Sequence, residues 1–328
     1  MTATLDKTEA PPPAPESRHR RKEKLSDRAR QERNLGWKLV APAFVAMMIV
    51  VAYPILNALY LSLFNYRLTE PDSRTFVFLK NYGVILADTT WWKAVWISTL
   101  VMVVTVTIEF VLGMALAMVM NRIILPRRTL RTIVLIPYSI ITVVSAYGFK
   151  YAFAPDTGFI SQWLHDFTGW ITFGGWHFDA SYDWYGGHWS SLIAIMISEI
   201  WKTTPFMSLL LLAGLAQVPG ELQEAAEVDG ATFWERLVRV TLPSMKAAIL
   251  VALLFRALDS FRIFDNIFIM TNGSQNTTSI AVLAYDQTIT RSQIGLGSAV
   301  SILLFALVVL ISTIFIKLFK TDLSRVGG

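Results

Sequence analysis

Between Lys38 and Arg67 the chain carries no charged side chain for 28 residues. A helix needs about 20 apolar residues to cross a ~30 Å hydrocarbon core, so this single run already fits a bilayer better than a soluble core. Five further apolar runs follow, at residues 94–120, 132–149, 189–217, 247–270 and 295–316. The charges collect between them. Over 328 residues only 16% are charged and 54% are hydrophobic, where a soluble domain carries about a quarter charged residues. The expected fold is all-α integral membrane, with six transmembrane helices. Pro42 and Pro54 in the first run are compatible with that, because membrane helices tolerate proline.

An even number of spans puts both termini on one side, and the basic residues say which. With the N-terminus inside, the inner segments hold 20 Lys/Arg and the outer ones 6. Cytoplasmic loops carry the excess of Lys and Arg, so both termini are expected in the cytoplasm of a cell bounded by a plasma (inner) membrane. Most of the net charge of +5 comes from residues 1–38, which hold 10 of the 29 Lys/Arg. Residues 1–36 read as a disordered basic cytoplasmic tail, Pro-rich at 10–15, and residues 321–328 as a short C-terminal tail. The basic run from Arg18 to Arg33 suits either an arm for nucleic acid or anionic lipid, or a tail that fixes orientation. The second is favoured: no aromatic residue interleaves the run for base stacking, and a span follows at once. That apolar stretch is also far longer than the h-region of a cleavable signal.

Several chemistries are excluded. There is no cysteine, hence no disulfide, thiolate catalysis or iron–sulfur cluster. His19, His165, His177 and His188 lack metal-ligand spacing, and no H-E-x-x-H occurs. No Walker A sequence is present, so the chain is not expected to bind ATP. No catalytic constellation marks an intramembrane enzyme, and no inverted repeat marks a secondary transporter. The sequons at Asn272 and Asn276 read as loop polarity. Trp163, Trp170, Trp176, Trp184 and Trp189 in the outer loop suit an interfacial aromatic belt, with carbohydrate stacking as the alternative.

The inner segment 218–246 is the most informative stretch. Glu221 to Val228 favours helix, with Pro219 near its start. Asp229-Gly230 is a turn dipeptide. Thr232 is a candidate N-cap with Glu235 three residues on, a capping box, and Leu242-Pro243 ends the second helix. Two readings fit: a protrusion for helix-in-groove docking, or a helix–turn–helix packed on its own bundle. Inside the fifth run, Arg256, Asp259, Arg262 and Asp265 alternate in sign every third residue, so three i,i+3 pairs are expected. Ionisable groups at membrane depth face one another or a cavity. The pattern reads equally as a neutralised ladder, with Glu199, Lys202 and Glu109 on neighbouring helices, or as a polar path flanked by the aromatic faces of Phe206, Phe255, Phe261 and Phe264.

The string Glu224, Ala225, Ala226, Asp229, Gly230, Ala231, followed by Leu242 and Pro243, resembles the "EAA" loop of permease subunits in bacterial ABC importers. Trp201, Pro205 and Phe206, with Leu215 and Pro219, are similar to the carbohydrate-uptake branch of that family. So are Phe261, Phe264, Asp265, Thr271 and Gly273, although Ser274 stands where a second glycine is usual. Arg131, Leu135, Ile136 and Pro137 fit its third span. The likeness covers residues 37–320 and points to the maltose-permease-like type I ABC importer permease fold, close to permeases of trehalose importers.

The resemblance implies alternating-access import of a carbohydrate, first of all a disaccharide such as trehalose, with a glycerol-phosphate or oligosaccharide permease or a secondary transporter as alternatives. It implies no cofactor in this chain and no enzyme activity of its own. ATP and Mg would be bound by two ATP-binding cassette subunits. The further partners implied are a second homologous permease subunit, an extracytoplasmic sugar-binding (lipo)protein, the sugar and membrane lipids, and no nucleic acid. Glu224, Ala225, Ala226, Asp229, Gly230 and Ala231 would form the ATPase-coupling contact. By the family's pattern the substrate path falls on Ser260 and Arg262, with Asp259 and Asp265 as supports, and further candidates are Glu199, Trp201 and Phe206.

Overall fold

The computed structural model describes residues 27–122, 127–173 and 175–326. The expected tail therefore lies outside the described residues as far as residue 26, and so do the last two residues. The first element, α1 (Asp27–Ser62), is one long helix that includes Pro42 and Pro54, and its first ten residues fall within the stretch assigned to the tail. The chain divides into two units, residues 1–54 and 55–328. Within the described part of the first unit, Leu39, Val40, Ile49 and Val50 are all exposed, as side chains facing lipid would be.

The second unit, which starts within α1, contains an unexpected element. After Ser62 the chain forms a β-hairpin, β1 (Phe64–Arg67) and β2 (Glu70–Phe76), paired antiparallel. The all-α expectation is corrected to this extent. Aromatic side chains stand on alternate positions, Phe64 and Tyr66, and Arg74 from β2 covers both rings, 4.2 Å from the Phe64 centroid and 5.4 Å from that of Tyr66. Cation–π attraction thus replaces the hydrophobic face that two strands cannot build alone. Asn81 Nδ2 donates to the carbonyls of Ser62 and Phe64 and holds the hairpin on α2 (Lys80–Ala87).

The long helices α3 (Thr89–Arg122) and α8 (His188–Leu215) form the centre of the unit. Gly113 lets them meet: a Cβ there would lie 2.9 Å from Met207 Cγ and 3.2 Å from the Ser208 backbone nitrogen. Close approach through a small residue is how membrane helices gain packing without a hydrophobic driving force. Around this pair lie α4 (Arg127–Val134), α5 (Ile136–Ser139), α6 (Thr142–Ala152) and α7 (Ile160–Ile171). After α8 come α9 (Gly220–Val228), α10 (Phe233–Arg236), a π-helical turn (Leu237–Thr241) and α11 (Leu242–Ser244). Then follow α12 (Lys246–Phe261), α13 (Asp265–Met270), α14 (Ile280–Tyr285), a second π-helical turn (Asp286–Thr290) and α15 (Ile294–Val326).

Among the described residues, four helices are long and apolar enough to cross a membrane: Asn34–Ser62, Thr89–Arg122, His188–Leu215 and Ile294–Lys317. A bent pair, Phe233–Ser244 with Lys246–Met270 at 76°, makes up to five. The expected third span is not one helix. It breaks into α4, α5 and α6. Pro137 ends α4, because it has no N–H to donate and its ring clashes one turn back. Ile140 and Ile141 then adopt extended backbone, which their β-branched side chains favour.

Three helices, α3, α8 and α12, bury Glu109, Glu199 and Arg256 in one layer. On α3, Val101 belongs to one apolar cluster and Met114 to another, with Thr105 and Glu109 between. On α8, Glu199 and Thr203 fall between Ile195 and Met207 in the same way. On α12, Arg256 and Ser260 fall between Ala252 and Ile263. A polar stratum is thus sealed above and below by packed hydrocarbon.

Candidate functional site

A cavity of about 380 Å³ opens beside that stratum. It is lined by Tyr138 and Thr142 at the α5–α6 break, by Glu199, Lys202 and Thr203 of α8, and by Asp259 near the end of α12. The remaining wall is Arg262, Ile263, Phe264, Asp265 and Asn266. These five span a second break. α12 stops at Phe261, Arg262 has φ −95° and ψ 21°, and helix resumes only at Asp265. Discontinuous helices leave main-chain groups free to face a polar cavity. The other break shows the same effect, since the Tyr138 carbonyl accepts from Lys202 Nζ at 3.3 Å.

The expected ladder is mostly not formed. Of its three i,i+3 pairs, Arg256–Asp259 is present among the described residues. Arg262 instead turns its Nε to the Leu258 carbonyl at 3.1 Å, and Asp265 starts a new helix. Helical periodicity cannot be carried across a break, which is the physical reason. The bracing of α12 to its neighbours does occur. Arg256 Nε donates to Glu109 Oε2 at 2.7 Å, and Nη2 donates to Glu109 Oε1 at 3.0 Å and to Glu199 Oε1 at 3.2 Å. Thr203 Oγ1 donates to Glu109 at 2.7 Å and Asn266 Nδ2 to Glu199 at 2.6 Å. Buried charges persist only when paired and hydrogen-bonded in this way.

Of the substrate-path candidates, Glu199, Asp259, Arg262 and Asp265 line the cavity. Ser260 does not. It is fully buried and shares a 2.9 Å hydrogen bond with Thr105. Phe206 lies behind the wall, stacked on Tyr138 at 4.9 Å and 11°. Trp201 faces elsewhere, edge-on to Phe149 at 5.4 Å in a separate apolar groove with Val144 and Trp163. Tyr138, Thr142, Thr203 and Asn266 were not anticipated. The first two flank the extended pair Ile140 and Ile141, where α5 ends and α6 begins.

The segment after α8 folds as its sequence requires. The α9 helix ends in a Schellman motif: Gly230 N–H donates to the Glu227 carbonyl at 3.0 Å and Ala231 N–H to that of Ala226 at 2.9 Å. Gly230 has φ +81°, a conformation that glycine adopts without penalty. Thr232 caps α10, with Glu235 N–H donating to its Oγ1 and Thr232 N–H donating to Glu235 Oε2 at 2.9 Å. Those two donors from Thr232, backbone first and hydroxyl second, hold the Glu235 carboxyl below its ordinary value. Arg236 pairs with Glu227 and folds α10 back on α9. Glu224, Ala225, Asp229 and Gly230 are exposed, while Ala226 and Ala231 are half-buried. Leu222, Val228, Phe233, Trp234 and Val238 leave apolar surface uncovered. Leu237 is buried, and Arg122 of α3 lies over the Phe233 ring at 5.2 Å. One face of the loop packs on the bundle, and the other is exposed.

Comparison with known proteins agrees with these features. Residues 83–325 match the family described as "Binding-protein-dependent transport system inner membrane component". The chain is 50% identical over 288 residues to the trehalose transport system permease protein SugA of Mycobacterium tuberculosis, covering 88% of this chain and 89% of that one. It is 34% identical over 296 residues to the trehalose/maltose transport system permease protein MalF of Thermococcus litoralis, covering 89% and 96%. A chain of a bacterial alginate ABC transporter, solved with a periplasmic protein bound to alginate pentasaccharide, shares the fold with a TM-score of 0.70 at 20% identity, over 87% of this chain and 93% of that one. A membrane-embedded bundle with a polar cavity and an exposed helical loop, matched over this length, places the chain in the family of inner-membrane permease components of binding-protein-dependent ABC importers.

Proposed function

We propose that the chain is the permease subunit of an ATP-driven importer for a carbohydrate, with trehalose as first substrate, working by alternating access. The observation that carries this reading is the polar cavity at the two helix breaks. It offers carboxylates, cations, an amide and the rings of Tyr138 and Phe264, the mixture that paired hydroxyls and a sugar face engage. The relatives named for trehalose transport support the substrate. In this reading α4, α5 and α6 cross together as a broken span, so the chain crosses six times with both termini cytoplasmic. Residues 37–320 are the permease domain, and residues 1–36 and 321–328 are cytoplasmic tails.

The exposed surface of the loop around Glu224, Ala225, Ala226, Asp229, Gly230 and Ala231 docks on a cytoplasmic ATPase. A pair of such ATPases binds ATP and Mg, and this chain needs no cofactor. A second homologous permease completes the path, and an extracytoplasmic binding protein delivers the sugar. Lys202 and Arg262 in the cavity wall favour one second reading, a glycerol-phosphate or other anionic substrate. Reconstitution with the partner subunits and a panel of sugars tests both. Trehalose-stimulated ATPase activity is the expected result, stimulation by sn-glycerol 3-phosphate alone would replace the substrate, and no response to any solute would refute the importer reading.

A further inference from the structure

Arg256 is completely buried and does not line the cavity, yet it touches every carboxylate near it except Asp265. Its Nε and Nη2 hold Glu109 from both oxygens. The same Nη2 reaches Glu199 Oε1, and Nη1 reaches Asp259 Oδ2. Glu199 and Asp259 are wall residues, and Glu109 is not. Three helices therefore meet on one planar fork: α3 through Glu109, α8 through Glu199, and α12 itself. The second oxygen of Glu199 is taken by Asn266, so that carboxylate is fixed at both ends. A guanidinium suits this task, because its donors lie in a rigid plane and point in different directions. A lysine ammonium carries the same charge at one compact centre and cannot span three acceptors on three helices.

We propose that Arg256 is a positioning residue of the cavity: its guanidinium, out of reach of any solute, sets the orientation of the Glu199 and Asp259 carboxylates on the wall. The consequence for substrate affinity rests on the sugar-transport reading above, while the orientation itself does not. A mere brace between α3 and α12 would need only the Arg256–Glu109 pair. A positioning residue must also act on the two carboxylates that face the cavity.

The chain has no cysteine, so Thr142→Cys places a single thiol of this chain in the cavity wall. In the reconstituted transporter, that thiol is labelled with a cationic and with an anionic methanethiosulfonate reagent, and the rate ratio reads the potential that the wall carboxylates set. Two variants keep the local charge sum. Arg256→Lys retains the cation and loses the fork. The double variant Arg256→Gln/Glu109→Gln keeps hydrogen bonding between α3 and α12 and replaces the fork by one short amide, which cannot hold α3, Glu199 and Asp259 together. In both, the freed carboxylates are expected to raise the cation-to-anion ratio severalfold. The trehalose KM should rise about tenfold with Vmax nearly unchanged, the factor that ~1.4 kcal/mol of lost orientation produces. A ratio equal to that of the parent overturns the proposal, and so does failure of both variants to assemble, which would make Arg256 a brace only. A raised ratio in a parent transporter that takes up no trehalose would sink the substrate and leave the positioning role standing. A raised ratio with unchanged KM in a parent that does transport trehalose would count against any role in affinity.

Discussion

Tyr138 stacks face to face on Phe206 with ring centroids 4.9 Å apart and only 11° between their planes. One ring comes from a helix interrupted by proline and the other from α8, immediately after Pro205. The stack fixes a cavity-lining ring at a place where backbone hydrogen bonding is lost. Such a pair contributes about 0.5–1.5 kcal/mol beyond its buried area. Phe206→Ala should therefore release Tyr138 and weaken sugar affinity several-fold, while Phe206→Tyr preserves the stack and the affinity. Uptake measured against substrate concentration decides it, and equal KM for the two variants would show that the ring is only packing.

Gly230 gives a second expectation. A Cβ at this position meets nothing within 4 Å, yet the residue has φ +81°. The requirement for glycine is thus conformational, and no neighbour would be pushed. Asparagine visits this region far more readily than a β-branched residue. Gly230→Asn should retain ATPase-coupled uptake, whereas Gly230→Val should strain the turn by about 1–3 kcal/mol and lower uptake per ATP hydrolysed. Uptake and hydrolysis measured on one preparation give the ratio, and normal coupling in the valine variant would remove the loop from the coupling role.

What could be read from the sequence followed the range of the interactions. The turn at Gly230 and the capping box from Thr232 to Glu235 are local, closed by residues within a few positions, and spacing alone located them. The bracing of α12 by Glu109 and Glu199 was also legible, because charges inside apolar runs must find one another. The ladder beyond Asp259 failed because helical spacing was extended through residues 262–264, where the backbone leaves the helix. Tyr138 was missed for the matching reason: residues 132–149 were read as one continuous span, and the backbone leaves the helix at Ile140 and Ile141. Trp201 fits a family pattern but faces Phe149, since a motif fixes a position in the chain and not the side of the helix that meets the cavity. The hairpin had a signal in the alternation of Phe64 and Tyr66, obscured by the long apolar run before it.

The capping box makes the loop sensitive to acid. Glu235 is held below its ordinary value by the Thr232 donors. A carboxyl with a lower value in the folded than in the unfolded state stabilises the fold above its unfolded value, and that contribution is lost as pH falls through the folded one. Amide exchange in α10 should therefore accelerate as pH drops below about 4.3, the unfolded range for glutamate, after correction for intrinsic exchange. Glu235→Gln should exchange faster at neutral pH and lose most of the acid dependence. An identical pH profile in that variant would assign the effect to another group.

Ser260 and Arg262 stand two residues apart and were expected to act together on substrate. The helix break separates their tasks. Ser260 lies within the helix, fully buried, with its hydroxyl on Thr105 of α3. Arg262 lies just past the helix end, exposed in the cavity wall. Ser260→Ala leaves Thr105 without its partner in a dry interface, which costs about 1–3 kcal/mol, and should lower the melting temperature of the assembled transporter with little change in substrate KM. Arg262→Ala removes a wall cation that the described residues pair with no carboxylate, so stability should hold while the KM changes. The two variants are compared by thermal unfolding in detergent and by uptake in proteoliposomes. If Ser260→Ala shifts KM as strongly as Arg262→Ala, the hydroxyl reaches substrate in a state other than this one. If Arg262→Ala destabilises the complex as strongly as Ser260→Ala does, the arginine is a structural residue and the path lies along Glu199, Asp259 and Asp265.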